Sequence, residues 1–178
     1  MHLVDKLQKM MKKILIVLVL TFVKISSINA QDVSIDGRLQ PLLNEFFTVC
    51  KKYDITYYDK LFKLKTIDIV NTLTVSEEGS TLGMLKRNEE GQVISIDINW
   101  VAQLDKEILK VVAFHEFAHY FLEYSTHVCD DCGHIMSVVN SDYFSIANDW
   151  DVKLKQLFEE SPAYVKKQTV AYVEHEKE

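Results

Sequence analysis

Apolar residues in the first predicted helix recur at steps of three and four positions, the spacing that places them on one helix face. They are Leu39, Leu42, Leu43, Phe46, Val49, Cys50 and Tyr53. Pro41 is tolerated in the first turn, where its missing N–H would have no helical partner. The pattern predicts an amphipathic helix over residues 38–53 that buries Cys50.

Shorter apolar runs follow, and they predict β-strands. Residues 65–70 alternate between polar and apolar types, and two further apolar-rich segments, residues 80–87 and 92–98, flank the turn sequence Asn88-Glu89-Glu90-Gly91. Two such segments joined by a short turn with a glycine indicate a hairpin. We therefore predict a strand and then a β-hairpin.

The second half of the chain is predicted to be mainly helical. Asp105 is a plausible N-cap for a helix over residues 105–124, whose apolar residues surround it almost completely. A last helix over residues 147–159 ends before Ser161-Pro162, and a charged tail that frays at its end follows. The fold class is α+β: a small twisted mixed sheet with an N-terminal, a central and a C-terminal helix.

The central helix carries the pentapeptide His115-Glu116-Phe117-Ala118-His119. The i, i+4 spacing places both imidazoles on one face, where they can reach a single Zn²⁺ ion, and Glu116 lies on the flank of that face. Burying such groups unsatisfied would cost about 1 to 3 kcal/mol each. Their position in an apolar helix therefore favours a bound metal over a chance pattern.

A catalytic zinc ion keeps three protein ligands, so the two histidines need one partner from outside their helix. His127 is the preferred third ligand, because it follows His119 at a distance that lets the chain turn back. The alternatives are side chains of the following segment: His134, Cys129, Cys132, Asp142 and Asp149.

The chain has three cysteines, so at most one intramolecular disulfide can form. Cys129-Asp130-Asp131-Cys132 is interpreted as a tight local disulfide. The alternatives are half of a second metal site and two free thiols on a surface loop.

The N-terminal segment has the pattern of a secretory signal peptide. Lys12 and Lys13 precede a short apolar run over residues 14–20, and Ile28-Asn29-Ala30 resembles a cleavage site. We predict a signal peptide over residues 1–30, with Met11 as an alternative start, and a single domain over residues 31–178 that is secreted or periplasmic. An uncleaved membrane anchor is the alternative.

Charge limits the classes of partner. Residues 1–30 hold five Lys and one Asp of the chain's 20 basic and 26 acidic residues, which leaves a net charge of −10 on residues 31–178. An acidic surface repels phosphate backbones, so nucleic-acid binding is not expected. We expect a monomer without stable membrane association after signal cleavage.

The order of helix, strands, hairpin, H-E-x-x-H helix, third histidine and Ile135-Met136 resembles the zincin metallopeptidases, and within them the metzincin-like group. Ile96-Asp97-Ile98-Asn99-Trp100 is similar to the lead-in of small secreted bacterial metalloproteases, and the cysteine-bearing loop resembles that of archaemetzincins. The resemblance implies a zincin-like fold, a Met-turn at Met136 and substrate pairing along residues 80–87.

The chain departs from the strict metzincin motif H-E-x-x-H-x-x-G-x-x-H. Leu122 stands at its glycine position and Ser125 at its third histidine. This implies a longer helix and a third ligand two residues later in the sequence.

The leading hypothesis is a secreted zinc endopeptidase acting on a peptide or protein substrate, in which Glu116 activates a zinc-bound water. The rivals are an exported non-catalytic zinc-binding or structural module and a metallohydrolase acting on a non-protein amide. A purified protein without bound zinc would favour a chance pattern in a core helix.

Overall fold

Strands and helices form an α+β architecture, as the sequence predicts. The computed structural model describes residues 32–76, 79–138 and 142–175, and the predicted signal peptide lies outside them. Among the described helices, none combines the length and the apolar character needed to cross a bilayer. The elements in chain order are β1 (Ser34–Ile35), α1 (Gln40–Lys52), α2 (Tyr58–Leu61), β2 (Thr66–Val70), β3 (Val75–Ser76), β4 (Gly79–Ser80), β5 (Gly83–Arg87), β6 (Val93–Asn99), a 3-10 helix (Trp100–Leu104), α3 (Lys106–Phe121), α4 (Tyr143–Asn148), α5 (Trp150–Glu159) and α6 (Pro162–His175).

The main sheet is mixed and has the strand order β1-β2-β6-β5. β1 and β6 are parallel to β2, whereas β5 is antiparallel to β6 and lies at the edge of the sheet. The predicted hairpin is confirmed: the Asn88 N–H donates to the Gln92 carbonyl at 2.9 Å, and Gly91 takes the positive φ of 78° that closes the turn. The predicted small mixed sheet is therefore confirmed, and it has four strands.

The first hairpin strand begins later than predicted. Ser80 belongs to β4, which pairs with β3 in a separate two-stranded hairpin, and the Thr81 N–H donates to the Thr74 carbonyl at 3.0 Å. The strand that pairs with β6 is Gly83–Arg87. The prediction of one strand over residues 80–87 was wrong at its start.

Helix α3 lies at the centre of the molecule, in contact with α1, α4, β5 and β6. The Phe46 ring of α1 contacts three rings of α3 and one of α5, which are Phe114, Phe117, Phe121 and Phe158. Ile67 of β2 and Ile96 and Ile98 of β6 are fully buried in the core. Cys50 is fully buried in the same core, as predicted.

The two ends of α3 are fixed by side chains. The Asp105 carboxylate accepts from the N–H groups of Glu107 at 2.8 Å and Ile108 at 3.2 Å, which confirms the predicted N-cap. At the other end, the Lys60 ammonium donates to the Phe121 carbonyl at 3.0 Å and to Glu123 at 2.9 Å.

The helix therefore ends at Phe121, before the predicted residue 124. Glu123 adopts a left-handed φ of 67°, a backbone conformation that ends α-helices. The left-handed residue is Glu123, one position after Leu122, which stands at the glycine position of the motif.

The C-terminal region is more helical than predicted. The helix expected over residues 147–159 is two helices, since the chain breaks at Asp149 between α4 and α5. Beyond it, the expected charged tail forms α6, which begins at Pro162, and the Ala163 N–H donates to the Leu122 carbonyl at 3.1 Å. The proline starts a helix because its missing N–H falls where no intrahelical bond forms.

Candidate metal centre

His115 and His119 lie one turn apart on α3, and their rings meet on the same face of the helix. Their ring centroids are 4.7 Å apart, and their Nε2 atoms are 3.1 Å apart. Both rings are partly buried. The i, i+4 spacing therefore produces the convergence that the sequence predicts.

A backbone carbonyl group lies behind each of these two rings. Nδ1 of His115 donates to the Ile135 carbonyl at 2.7 Å, and Nδ1 of His119 donates to the Tyr124 carbonyl at 2.7 Å. Because a carbonyl oxygen can only accept, each Nδ1 carries the hydrogen. In the neutral rings both Nε2 atoms then present lone pairs.

His127 completes the group from the loop that follows α3. Its Nε2 lies 3.2 Å from Nε2 of His115. The next residue, Val128, donates its N–H to the Met136 carbonyl at 2.9 Å, which fixes the backbone beside the ring. Ligand atoms of the three histidines all lie within 4.8 Å of one another.

The close approach of the three Nε2 atoms favours a cation between them. Two lone pairs at 3.1 Å repel, since neither Nε2 of His115 nor that of His119 has a hydrogen to donate. The edge of a tetrahedron of nitrogens about 2.0 to 2.1 Å from a metal is about 3.3 Å long. The group of His115, His119 and His127 could therefore hold a metal ion.

Burial keeps these imidazoles in the form that binds metals. It lowers the pKa of His115 to about 4, against the opposing effect of the Ile135 carbonyl, and it lowers the pKa of His119 as well. Near neutral pH both rings are neutral, which is the metal-ligating state of histidine.

Most of the alternative third ligands have other partners. Cys129 and Cys132 form a disulfide with each other, which confirms the preferred pairing and removes both thiols as ligands. The carboxylate of Asp142 accepts from the Ser145 N–H at 2.9 Å as the N-cap of α4. Asp149 lies at the break between α4 and α5.

His134 is buried and does not belong to the group of three histidines. Its Nδ1 accepts from the Met136 N–H at 2.8 Å, so Nε2 carries the hydrogen and faces a Glu160 oxygen 3.6 Å away. Burial holds the pKa of this imidazole below its usual value. His134 therefore helps to fix the loop backbone at Met136, whose side chain is fully buried.

Glu116 follows His115 on α3 and is only 6% exposed. Burial raises the pKa of its carboxyl group to about 8. Its side chain lies directly against Gly83 of β5, where a methyl group would overlap it. A buried acid next to a metal-ligand group is an arrangement that can move a proton to or from a bound water.

Three contributors to the site are absent from the sequence interpretation. The carbonyl groups of Tyr124 and Ile135 leave no sequence signal, because every residue has a carbonyl. Gly83 leaves a weak one: an isolated glycine in a strand indicates close approach of another group, without saying which.

No family model, curated protein or solved structure matches this chain.

Proposed function

We propose that this protein is an exported zinc endopeptidase with a zincin-like fold. One observation carries the proposal: three histidine Nε2 atoms converge, and two of them are held as lone-pair donors by carbonyl groups. A site that only stabilises the fold would have a closed set of four ligands. Among the described residues the group has three ligands, which leaves a position for water or substrate.

Zinc is the metal that this donor set favours. Three neutral imidazoles suit borderline metals, and zinc accepts the tetrahedral arrangement without a preference of its own. Once bound, zinc lowers the pKa of a bound water toward about 7 and polarises a carbonyl oxygen. The residues that would hold it are His115, His119 and His127.

Glu116 is the proposed general base. It follows His115 directly on α3, and its side chain is buried. It would accept a proton from the attacking water and deliver it to the leaving amine as the peptide bond breaks.

The edge of the sheet beside Glu116 suits an extended peptide. The Asn99 N–H donates to the Leu82 carbonyl at 2.8 Å, so Leu82 and Asn99 form a hydrogen-bonded pair. Since such pairs alternate along antiparallel strands, the backbone groups of Gly83 and Leu85 point away from β6 toward the free edge. An incoming strand could pair with them, which supports a peptide as the substrate.

The disulfide supports the export part of the proposal. Disulfides persist in oxidising compartments outside the cytosol, and Cys129–Cys132 is formed here. This agrees with the signal peptide predicted over residues 1–30.

Replacing Glu116 by Gln tests the mechanism. The variant should bind one zinc per chain, as the wild type does, and should lose hydrolysis of a quenched fluorescent peptide library by about 10²- to 10⁴-fold. Glu107→Gln is the matched control: Glu107 lies on the same helix, forms an ion pair with the exposed Lys106 at 3.5 Å, and its variant should keep full activity.

Three results would contradict parts of the proposal. Hydrolysis retained by Glu116→Gln would exclude this glutamate as the base. Zinc bound by a wild type that cleaves no peptide would favour the non-catalytic module or a non-protein amide as substrate. A wild type that binds no zinc would leave the pentapeptide as a chance pattern.

A further inference from the structure

Gly83 lies where the edge strand β5 passes the side chain of Glu116. A methyl group at position 83 would lie 2.5 Å from Cδ of Glu116 and would also overlap its Cγ and Oε1. Carbon atoms that are not bonded to each other prefer separations of about 3.5 to 4.0 Å. The observed position of the Glu116 side chain therefore requires residue 83 to have no side chain.

Backbone conformation does not explain this glycine. The glycines with positive φ in the described residues are Gly91 and Gly133, and Gly83 lies in a regular strand. A glycine inside a strand is destabilising by roughly 0.5 to 1 kcal/mol relative to alanine, because it loses more conformational freedom on folding. The contact with Glu116 gives a physical reason for tolerating that cost.

We propose that Gly83 is a positioning residue for Glu116, because its missing Cβ leaves the space that the carboxyl group of Glu116, the residue after His115, occupies. This inference rests on the proposed function, in which that carboxyl group is the general base. Glu116 has little freedom to move aside: it is 6% exposed, and its helix packs against both β5 and β6. A side chain at position 83 would therefore displace the carboxyl group.

The activity test compares two glycine-to-alanine variants. Gly83→Ala should keep one zinc per chain while kcat on the quenched peptide library falls by about 100-fold, the effect of a misplacement of about 1 Å, with KM little changed. Gly37→Ala is the control, since a methyl group there meets no atom within 4 Å, and it should match the wild type. Unchanged kcat in Gly83→Ala would overturn the proposal.

A second test is independent of activity. The urea midpoints of wild type, Gly83→Ala, Glu116→Ala and the double variant form a double-mutant cycle. The proposal expects Gly83→Ala to lower the midpoint in the wild-type background and to leave it unchanged or raise it in the Glu116→Ala background, where the overlapping atoms are gone. Equal shifts in both backgrounds would overturn it.

The two tests also separate this inference from the proposed function. Coupling between positions 83 and 116 in a protein that cleaves no peptide would support the contact and overturn the endopeptidase proposal. Peptide hydrolysis by the wild type without that coupling would support the endopeptidase proposal and overturn the role of Gly83. If Gly83→Ala alone does not fold, folding of the double variant would support the proposal, and failure of both to fold would overturn it.

Discussion

At the scale of single residues, backbone carbonyl groups orient the two histidines of α3. Each Nδ1 donates a hydrogen bond to a carbonyl oxygen, so each ring is held in one tautomer and one orientation. Groups that orient a ligand in this way typically change metal affinity by about 10- to 100-fold when they are lost. His127 differs, because its ring is exposed and its backbone is held by the loop.

His127→Ala tests the third ligand. Removing a ligand should lower zinc affinity by more than the about 10- to 100-fold typical of an orienting group, because two imidazoles remain to hold the ion. Zinc affinity measured by competition with a chromophoric chelator would show this. In the control His134→Asn, the side-chain oxygen can replace Nδ1 as the acceptor for the Met136 N–H, so its affinity should match the wild type. Equal affinities for all three proteins would exclude His127 as a ligand.

At the scale of elements, the loop after α3 is as important to the site as the helix. The loop over residues 127–138 supplies the third histidine and the Ile135 carbonyl that orients the first. Two backbone hydrogen bonds of 2.9 Å, from Val128 to Met136 and from Val138 to Cys129, join its two halves, and the disulfide closes its tip. Loosening the loop should therefore affect two groups of the site together.

Replacing both Cys129 and Cys132 by Ser should lower zinc affinity and stability. The disulfide closes a short segment of chain, for which the loop-entropy estimate is about 2 kcal/mol of stability. Chelator competition and urea unfolding would measure the two effects. Cys50→Ala is the control: it removes the buried free thiol, so it should cost stability and leave zinc affinity unchanged. Unchanged affinity in the double serine variant would mean that the loop keeps its shape without the crosslink.

At the scale of the whole molecule, one aromatic cluster joins the helices that carry the site. The fully buried Phe46 contacts three rings of α3 and, through Phe158, the helix α5. Its packing joins α1 to both α3 and α5. The position of His115 and His119 on α3 is therefore tied to the stability of the core.

Phe46→Ala should lower the free energy of unfolding by about 3 to 5 kcal/mol, because it removes a large buried ring and leaves a cavity. Urea unfolding of the metal-free protein would measure the change. Phe62→Ala is the matched control: Phe62 is 52% exposed, so its loss should change stability by less than about 0.5 kcal/mol. Similar costs for both substitutions would show that Phe46 does not hold the core together.

The sequence by itself determined the features that depend on local spacing. Helical periodicity predicted α1 and α3, and the turn at Asn88 to Gly91 predicted the hairpin of β5 and β6. The i, i+4 spacing of His115 and His119 placed both rings on one face, since 3.6 residues per turn leaves no alternative on a helix. The Cys129–Cys132 disulfide was also predictable, because the two residues are close along the chain.

Only the tertiary structure decided which distant groups meet. The choice of His127 over His134 depends on a loop held by backbone hydrogen bonds, and backbone groups leave no trace in the order of side chains. The end of α3 at Phe121 depends on Lys60, which is far away in sequence, and on the left-handed backbone of Glu123. The contact between Gly83 and Glu116 arises because sheet and helix pack together, and packing between distant segments is set by the shape of the whole core.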